Sequence, residues 1–162
     1  MAYTNRGDFL YSIMKGALDN LTSYDSKVKV ADSFNTDYPY VMLFVEDEHY
    51  TYEDNEGQLI VKARGESTFN IYFEFKIKTQ SNSDDLIRTT ANQWVDEIEY
   101  VLRNINLKQN YTHSKSGTEK YVIVVKKIKI NDIIKALASE NDKVGTLYIN
   151  GTIEFDKNYV LT

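Results

Sequence analysis

The segment "FNIYFEFKIKTQSNSDDLIRTTANQWVDEIEYVLRNI", residues 69–105, changes its apolar period partway along. Phe69, Ile71, Phe73, Phe75 and Ile77 alternate with Asn70, Tyr72, Glu74, Lys76 and Lys78, which predicts a strand with one buried and one wet face. From Ile87 the spacing lengthens. Ile87, Ala91, Trp94, Val95, Ile98, Val101, Leu102 and Ile105 make a single stripe of a helix about five turns long. Ser81 or Ser83 can accept from its first-turn amides, and Asp84 and Asp85 suit the positive end of its dipole. A helix of about 20 residues reaches about 30 Å, enough to cross a sheet. Trp94, in mid-stripe, reads as a core anchor.

Working outward from this kernel, Asn5 or Asp8 can cap a first helix whose broad apolar face is Phe9, Leu10, Ile13, Met14, Ala17, Leu18 and Leu21. Val28 and Val30 suggest a short edge strand, and Tyr40 to Val45 a strand covered on both faces. Residues 46–58, "EDEHYTYEDNEGQ", are dense in charge and read as a long hairpin loop. Residues 106–118 read as a polar loop and Lys120 to Ile130 as another strand. Asn131 is then placed to cap a short helix over "DIIKALASEN". The Asn150-Gly151 pair is a common hairpin signal, but Leu147, Ile149, Ile153 and Phe155 share one parity through it. A turn there would flip the second half to the wrong face, so residues 146–155 read as one strand. Gly151 then marks a bulge or a close backbone approach. The expectation is an α+β domain: a mostly antiparallel sheet of about four to five strands, with the N-terminal helix and the long central helix packed on it. No repeat or composition shift divides residues 1–162, which read as one domain.

Composition narrows the function classes. A chain of 162 residues buries roughly 70% of its unfolded surface and needs no covalent staple. It has no cysteine, which excludes disulfides, thiolate metal sites and cysteine nucleophiles, and suits a reducing compartment. Arg6, Asp8, Lys15 and Asp19 interrupt the first 25 residues, unlike a signal peptide, and Tyr40 to Val45 is too short to span a bilayer. A soluble chain is expected. Net charge is −5, from 24 acidic and 19 basic residues, which argues against a grip on nucleic-acid phosphates. The 13 tyrosines suit half-buried sheets and interfaces.

Catalytic chemistry is not legible. Two histidines and no cysteine rule out the usual zinc sites. His49, among carboxylates, is the one centre for a mixed carboxylate–histidine site, but crowded carboxylates are ordinarily a solvated surface and the calcium-loop spacing is absent. His113-Ser114 has no orienting acid nearby in sequence, and the seven glycines form no phosphate-binding loop. Lys126, Lys127 and Lys129 read as a wet strand face rather than a nucleic-acid stripe. No catalytic residue, metal or cofactor is expected, and the chain does not read as an enzyme.

The order of elements resembles the tail terminator proteins of long-tailed bacteriophages, the minor tail protein U type. The residues that carry it are Asp37-Tyr38-Pro39 entering an apolar strand, Glu48-His49-Tyr50-Thr51 leaving it, the alternating strand Phe69 to Ile77, and the helix Asp84 to Ile105 with its central Trp94. The likeness covers residues 5–105 and the closing strand at 145–155; residues 106–144 depart from it, adding a strand and a short helix. The resemblance implies a virion protein, made in the host cytoplasm, that forms a homo-oligomeric ring, a hexamer, at the head-proximal end of the tail tube. Its implied partners are the tube protein, head–tail connector or neck proteins and the tail sheath, with no membrane. DNA would pass through the lumen without specific binding. The alternatives are another neck or head–tail joining protein, or a small α+β binding module. The expected assembly interface is Glu46, Asp47, Glu48, His49, Tyr50, Tyr52 and Glu53, whose tyrosines offer anchors on a charged segment.

Overall fold

In a computed structural model the described residues are 5–23, 26–31, 38–52, 62–77, 84–107, 109–115, 119–137 and 144–159. The order is α1 (Arg6–Leu18), β1 (Thr22–Ser23), β2 (Ser26–Lys27), β3 (Lys29–Val30), β4 (Tyr40–Tyr52), β5 (Lys62–Lys76), α2 (Asp84–Arg103), β6 (Asn110–Lys115), β7 (Glu119–Leu137) and β8 (Val144–Tyr159). The class is α+β. A curled sheet carries the order β3-β4-β5-β8-β7-β6; its five long strands are antiparallel, and β3 adds two residues parallel to β4. β1 and β2 form a separate two-residue pairing. No helix among the described residues is long and apolar enough to cross a membrane.

Asn5 is the α1 cap, its Oδ1 accepting from the Asp8 amide at 2.8 Å, with Asp8 in the first turn where the dipole favours an acid. The apolar stripe of α1 is buried from Phe9 to Leu18. It joins Ile71, Phe73, Phe75, Ile98, Val101, Leu147, Ile149 and Phe155 in one core. Trp94 packs at the rim of that core, its ring centroid 4.7 Å from that of Phe73. Residues of both helices and of one face of the sheet, the inner face, share this buried cluster. The serines expected to cap α2 lie outside the described residues.

β8 runs unbroken from Val144 to Tyr159, between β5 and β7, and Asn150-Gly151 is no turn. Gly151 is a close approach: a Cβ there would fall on the Lys129 carbonyl oxygen and about the ring of Phe69. Phe69 is its direct partner on β5, and Gly65 in the same ladder faces Phe155, whose ring lies 2.5 Å from where a Cβ would stand. Glycine on the concave side leaves room for the neighbouring strand's ring, which covers the bare backbone in return.

Four expectations change. Residues 46–52 are not a hairpin loop but the second half of β4, paired with β5 as far as Tyr52↔Ala63; the rest of that segment lies outside the described residues. Within 106–118, Asn110–Lys115 is a strand, β6, rather than loop. From Asp132 to Leu137 the segment expected as a helix is instead the end of β7, and the rest of that segment lies outside the described residues. Register shifts between Val125/Lys127 and Ile130/Asp132 space its inward residues as Val125, Ile128, Ile130 and Ile133, and steps of three imitate a helical period. The strand at Tyr40–Val45 is covered on both faces only at its start. Tyr40 and Met42 are buried against Ala31 on the outer face, whereas Phe44 is 43% exposed.

Candidate assembly surface

The acidic stretch of β4 is shaped by one residue. Glu46 opposes Thr68 and Glu48 opposes Ser67, so Asp47 is the extra residue of a bulge, with φ of 39°. The Glu46 carbonyl accepts from Ser67 Oγ at 3.0 Å and Thr68 Oγ1 at 3.1 Å, which holds the bulge closed. Simple alternation would place Glu46, Glu48 and Tyr50 on one face. The bulge inverts the parity after Glu46 and turns Glu48 and Tyr50 toward the helices, leaving Glu46, His49 and Thr51 outward.

On the inner side Glu48 meets Arg6 of α1 in a fork, at 2.7 and 2.8 Å. Arg6 Nη1 also donates to Tyr121 Oη at 3.3 Å. The Glu48 hydrogen bond, against the cost of burial, raises the guanidinium further above its ordinary pKa. Tyr50 packs edge-on against Phe155, centroids 5.9 Å apart. The Lys157 ammonium lies among three rings, 4.6 Å from Tyr121, 5.1 Å from Tyr159 and 5.4 Å from Tyr50. The expectation that Tyr50 stands ready for a partner therefore changes: its ring is part of this subunit's own packing. Tyr52 pairs with Ala63 through its backbone, and Glu53 lies outside the described residues.

No helix covers the opposite face of the sheet among the described residues. Its lower half carries a tyrosine cluster that sequence reasoning missed. Tyr38, Tyr40 and Tyr72 all donate to the Glu74 carboxylate, at 3.4 Å from Tyr38 and 2.9 Å from Tyr72. Burial, followed by the bond to Glu74, pushes the Tyr72 phenol up. The signal was available in two pairs, Tyr38-x-Tyr40 and Tyr72-x-Glu74, each two apart on a strand or strand entry and so on one face. Tyr72 stacks edge-on with Tyr148 at 5.2 Å, and beyond it lies Ile134. Tyr148 is 43% and Ile134 55% exposed.

The upper half of that face is charged. Lys129 Nζ lies 2.8 Å from Glu154 and Lys126 Nζ 3.6 Å from Asp156. Lys129 holds the Glu154 carboxyl below its usual range, and Glu154 in turn raises the Lys129 ammonium. Of the expected interface, Glu46 and His49 stand on this outer face, and Asp47 is exposed at the bulge. Glu48 and Tyr50 do not join them.

A separate groove of about 470 Å³ lies where Ile13, Gly16 and Asn20 of the α1 region approach Tyr100, Asn104 and Gln109. Its amides bond to nearby carbonyls: Asn20 to Gly16, Asn104 to Tyr100 and Gln109 to Asn106. Among the described residues no group of three or more His, Cys, Asp or Glu is placed to hold a metal ion. Searches against known protein families and curated proteins found no match for this chain.

Proposed function

We propose that the chain is a structural subunit of a ring that closes the head-proximal end of a bacteriophage tail tube, ending tube growth and presenting a surface to the neck. The resemblance in element order motivates this reading, with the long helix as a brace behind the sheet. The observation that carries it is the one-sided cover of the sheet. Both helices pack on the inner face, while the outer face presents Phe44, Tyr148 and Ile134 to solvent beside rows of charge. Apolar side chains gathered on a strand face with a polar rim are what a subunit interface requires. The partners in this reading are further copies of the chain, the tube protein and the connector or neck proteins, with the sheath as an outer neighbour. DNA passes an acidic protein without adhering to it.

The groove at the α1–α2 end supports a second reading, a small binding module, because its volume is within the range of ligand sites. It ranks lower, since its side-chain amides already bond within their own turns.

Added to polymerising tube protein, the intact chain should cap growth and narrow the length distribution seen by electron microscopy. Phe44→Ser with Tyr148→Ser should weaken capping and self-association by light scattering. Because both side chains are substantially exposed, each change should cost within about 0.5 kcal/mol of monomer stability. Tubes that elongate unchanged at saturating protein would refute the terminator reading.

A further inference from the structure

The two edges of the sheet are complementary. β3 covers only Tyr40 and Val41 of β4, and β6 covers β7 only from Glu119 to Val124. Among the described residues, no strand pairs with the outer edge of β4 over Met42–His49 or with the outer edge of β7 over Val125–Leu137. The open stretches also lie at the same height. Following the register across the sheet, Met42 leads through Tyr72 and Tyr148 to Ile134, and Glu46 through Thr68 and Thr152 to Lys129.

Their charges are opposite. The β4 stretch has Glu46, Asp47 and Glu48 with no lysine or arginine; the β7 stretch has Lys126, Lys127, Lys129 and Lys135 against one acid, Asp132. Internal pairs use some of this charge: Glu48 with Arg6, Lys126 with Asp156, Lys129 with Glu154. Glu46 and Asp47 on one edge, and Lys127 and Lys135 on the other, are in no ion pair among the described residues.

We propose that copies of this chain join edge to edge, the open stretch of β4 pairing antiparallel with the open stretch of β7 of the next copy. The proposal rests on the assembly reading above and names the contact that builds the ring. Cyclic symmetry rotates a subunit without moving it along the axis, so with the axis along the strands these two stretches meet at one height. β4 and β7 run in opposite directions within the sheet, so they also meet antiparallel across the boundary. Backbone hydrogen bonds supply the attachment, as in strand addition generally. Charge supplies the direction: β4 against β4 brings acids together, β7 against β7 brings lysines together, and only the head-to-tail contact is attractive. Bulges and lysines on an edge also serve to protect a monomer. That role calls for no acidic edge at the height of the lysines.

The natural chain has no cysteine, so an engineered pair is unambiguous. Directly opposed antiparallel residues have Cα atoms about 5.5 Å or less apart, within disulfide reach. Glu46→Cys combined with Lys129→Cys should, on mild oxidation of the assembled protein, give a ladder of covalent oligomers. Its yield should exceed either single variant by at least about tenfold, because assembly holds the thiols at high effective concentration. Glu46→Cys with Lys127→Cys covers a stagger of two residues and spares the Lys129–Glu154 pair; a ladder from either double variant supports the proposal. Equal cross-linking by a single variant means a two-fold contact and overturns it. An oligomer seen by light scattering that neither double variant cross-links overturns the edge pairing and leaves the ring reading standing. If no oligomer forms, alone or with tubes, both fall.

Discussion

Gly151 occupies a point where three strands come within a side chain's width. Its partners are Phe69 on β5 and Ile130 on β7, and the Lys129 carbonyl stands where a Cβ would be. A backbone oxygen cannot rotate aside as a flexible side chain can. Gly151→Ala should therefore lower stability by about 3 kcal/mol, the upper part of the usual overpacking range, as a shift in the urea midpoint. An unchanged midpoint would mean that β7 yields at this spot. A second residue-scale test uses Lys129 and Glu154, where the folded protein lowers the carboxyl and raises the ammonium. The depressed Glu154 contributes stability above its unfolded pKa of about 4.3, lost as pH falls through the folded value. The raised Lys129 contributes below its unfolded value of about 10.4, lost as pH rises through the folded one. The stability difference between the natural protein and Lys129→Met should thus be a small plateau at neutral pH that closes at both extremes. A difference that does not shrink as Glu154 protonates on acidification would assign it to packing instead.

At the scale of the element, α2 meets β5 where Trp94 packs against Phe73. Trp94 is only partly buried, so Trp94→Ala should cost about 3 kcal/mol in chemical denaturation, the lower end for a large aromatic. A negligible cost would show that Ile98 and Val101 suffice to seat the helix. How much of each element the amino-acid order revealed depends on whether its period is interrupted. β5 alternates without a break, and its half from Phe69 was legible for that reason; the half before it has the same parity, but Ala63, Gly65 and Ser67 carry no large apolar side chain to announce it. β8 keeps one parity through Gly151 and was legible even against a strong turn signal. β7 has two bulges, and its inward spacing of three and two residues resembles a short helix after Ile130. β4 has one, at Asp47, and the acids around it resembled a loop. The same bulge explains why the candidate surface was only half legible. Glu46 and His49 could be placed outside, but the inward turn of Glu48 and Tyr50 depends on one backbone residue that no side-chain pattern announces. Glu74 reads as merely wet because only Tyr72 is near it in sequence, and Tyr40 comes from a strand 34 residues earlier.

At the scale of the whole molecule, the assembly proposed above uses the open face and the two edges of the sheet as its means of contact. A face buries apolar area and an edge fixes direction, and a ring needs both. The strand order has one more consequence, which concerns time. β8 is last in chain order yet lies at the sheet's centre, its ladders with β5 and β7 running nearly its whole length. As the chain leaves the ribosome, α1, β4 and β5 emerge first, and the apolar side of β5 waits while residues 77–143 are made. Contacts so distant in sequence close slowly, and a waiting strand edge is open to chance partners. Only when β8 arrives does β5 acquire its second neighbour, and β7 is fixed in the same event. On the assembly proposed above, a subunit has its finished edges only after β8 has been made, so chains halted before β8 are not incorporated.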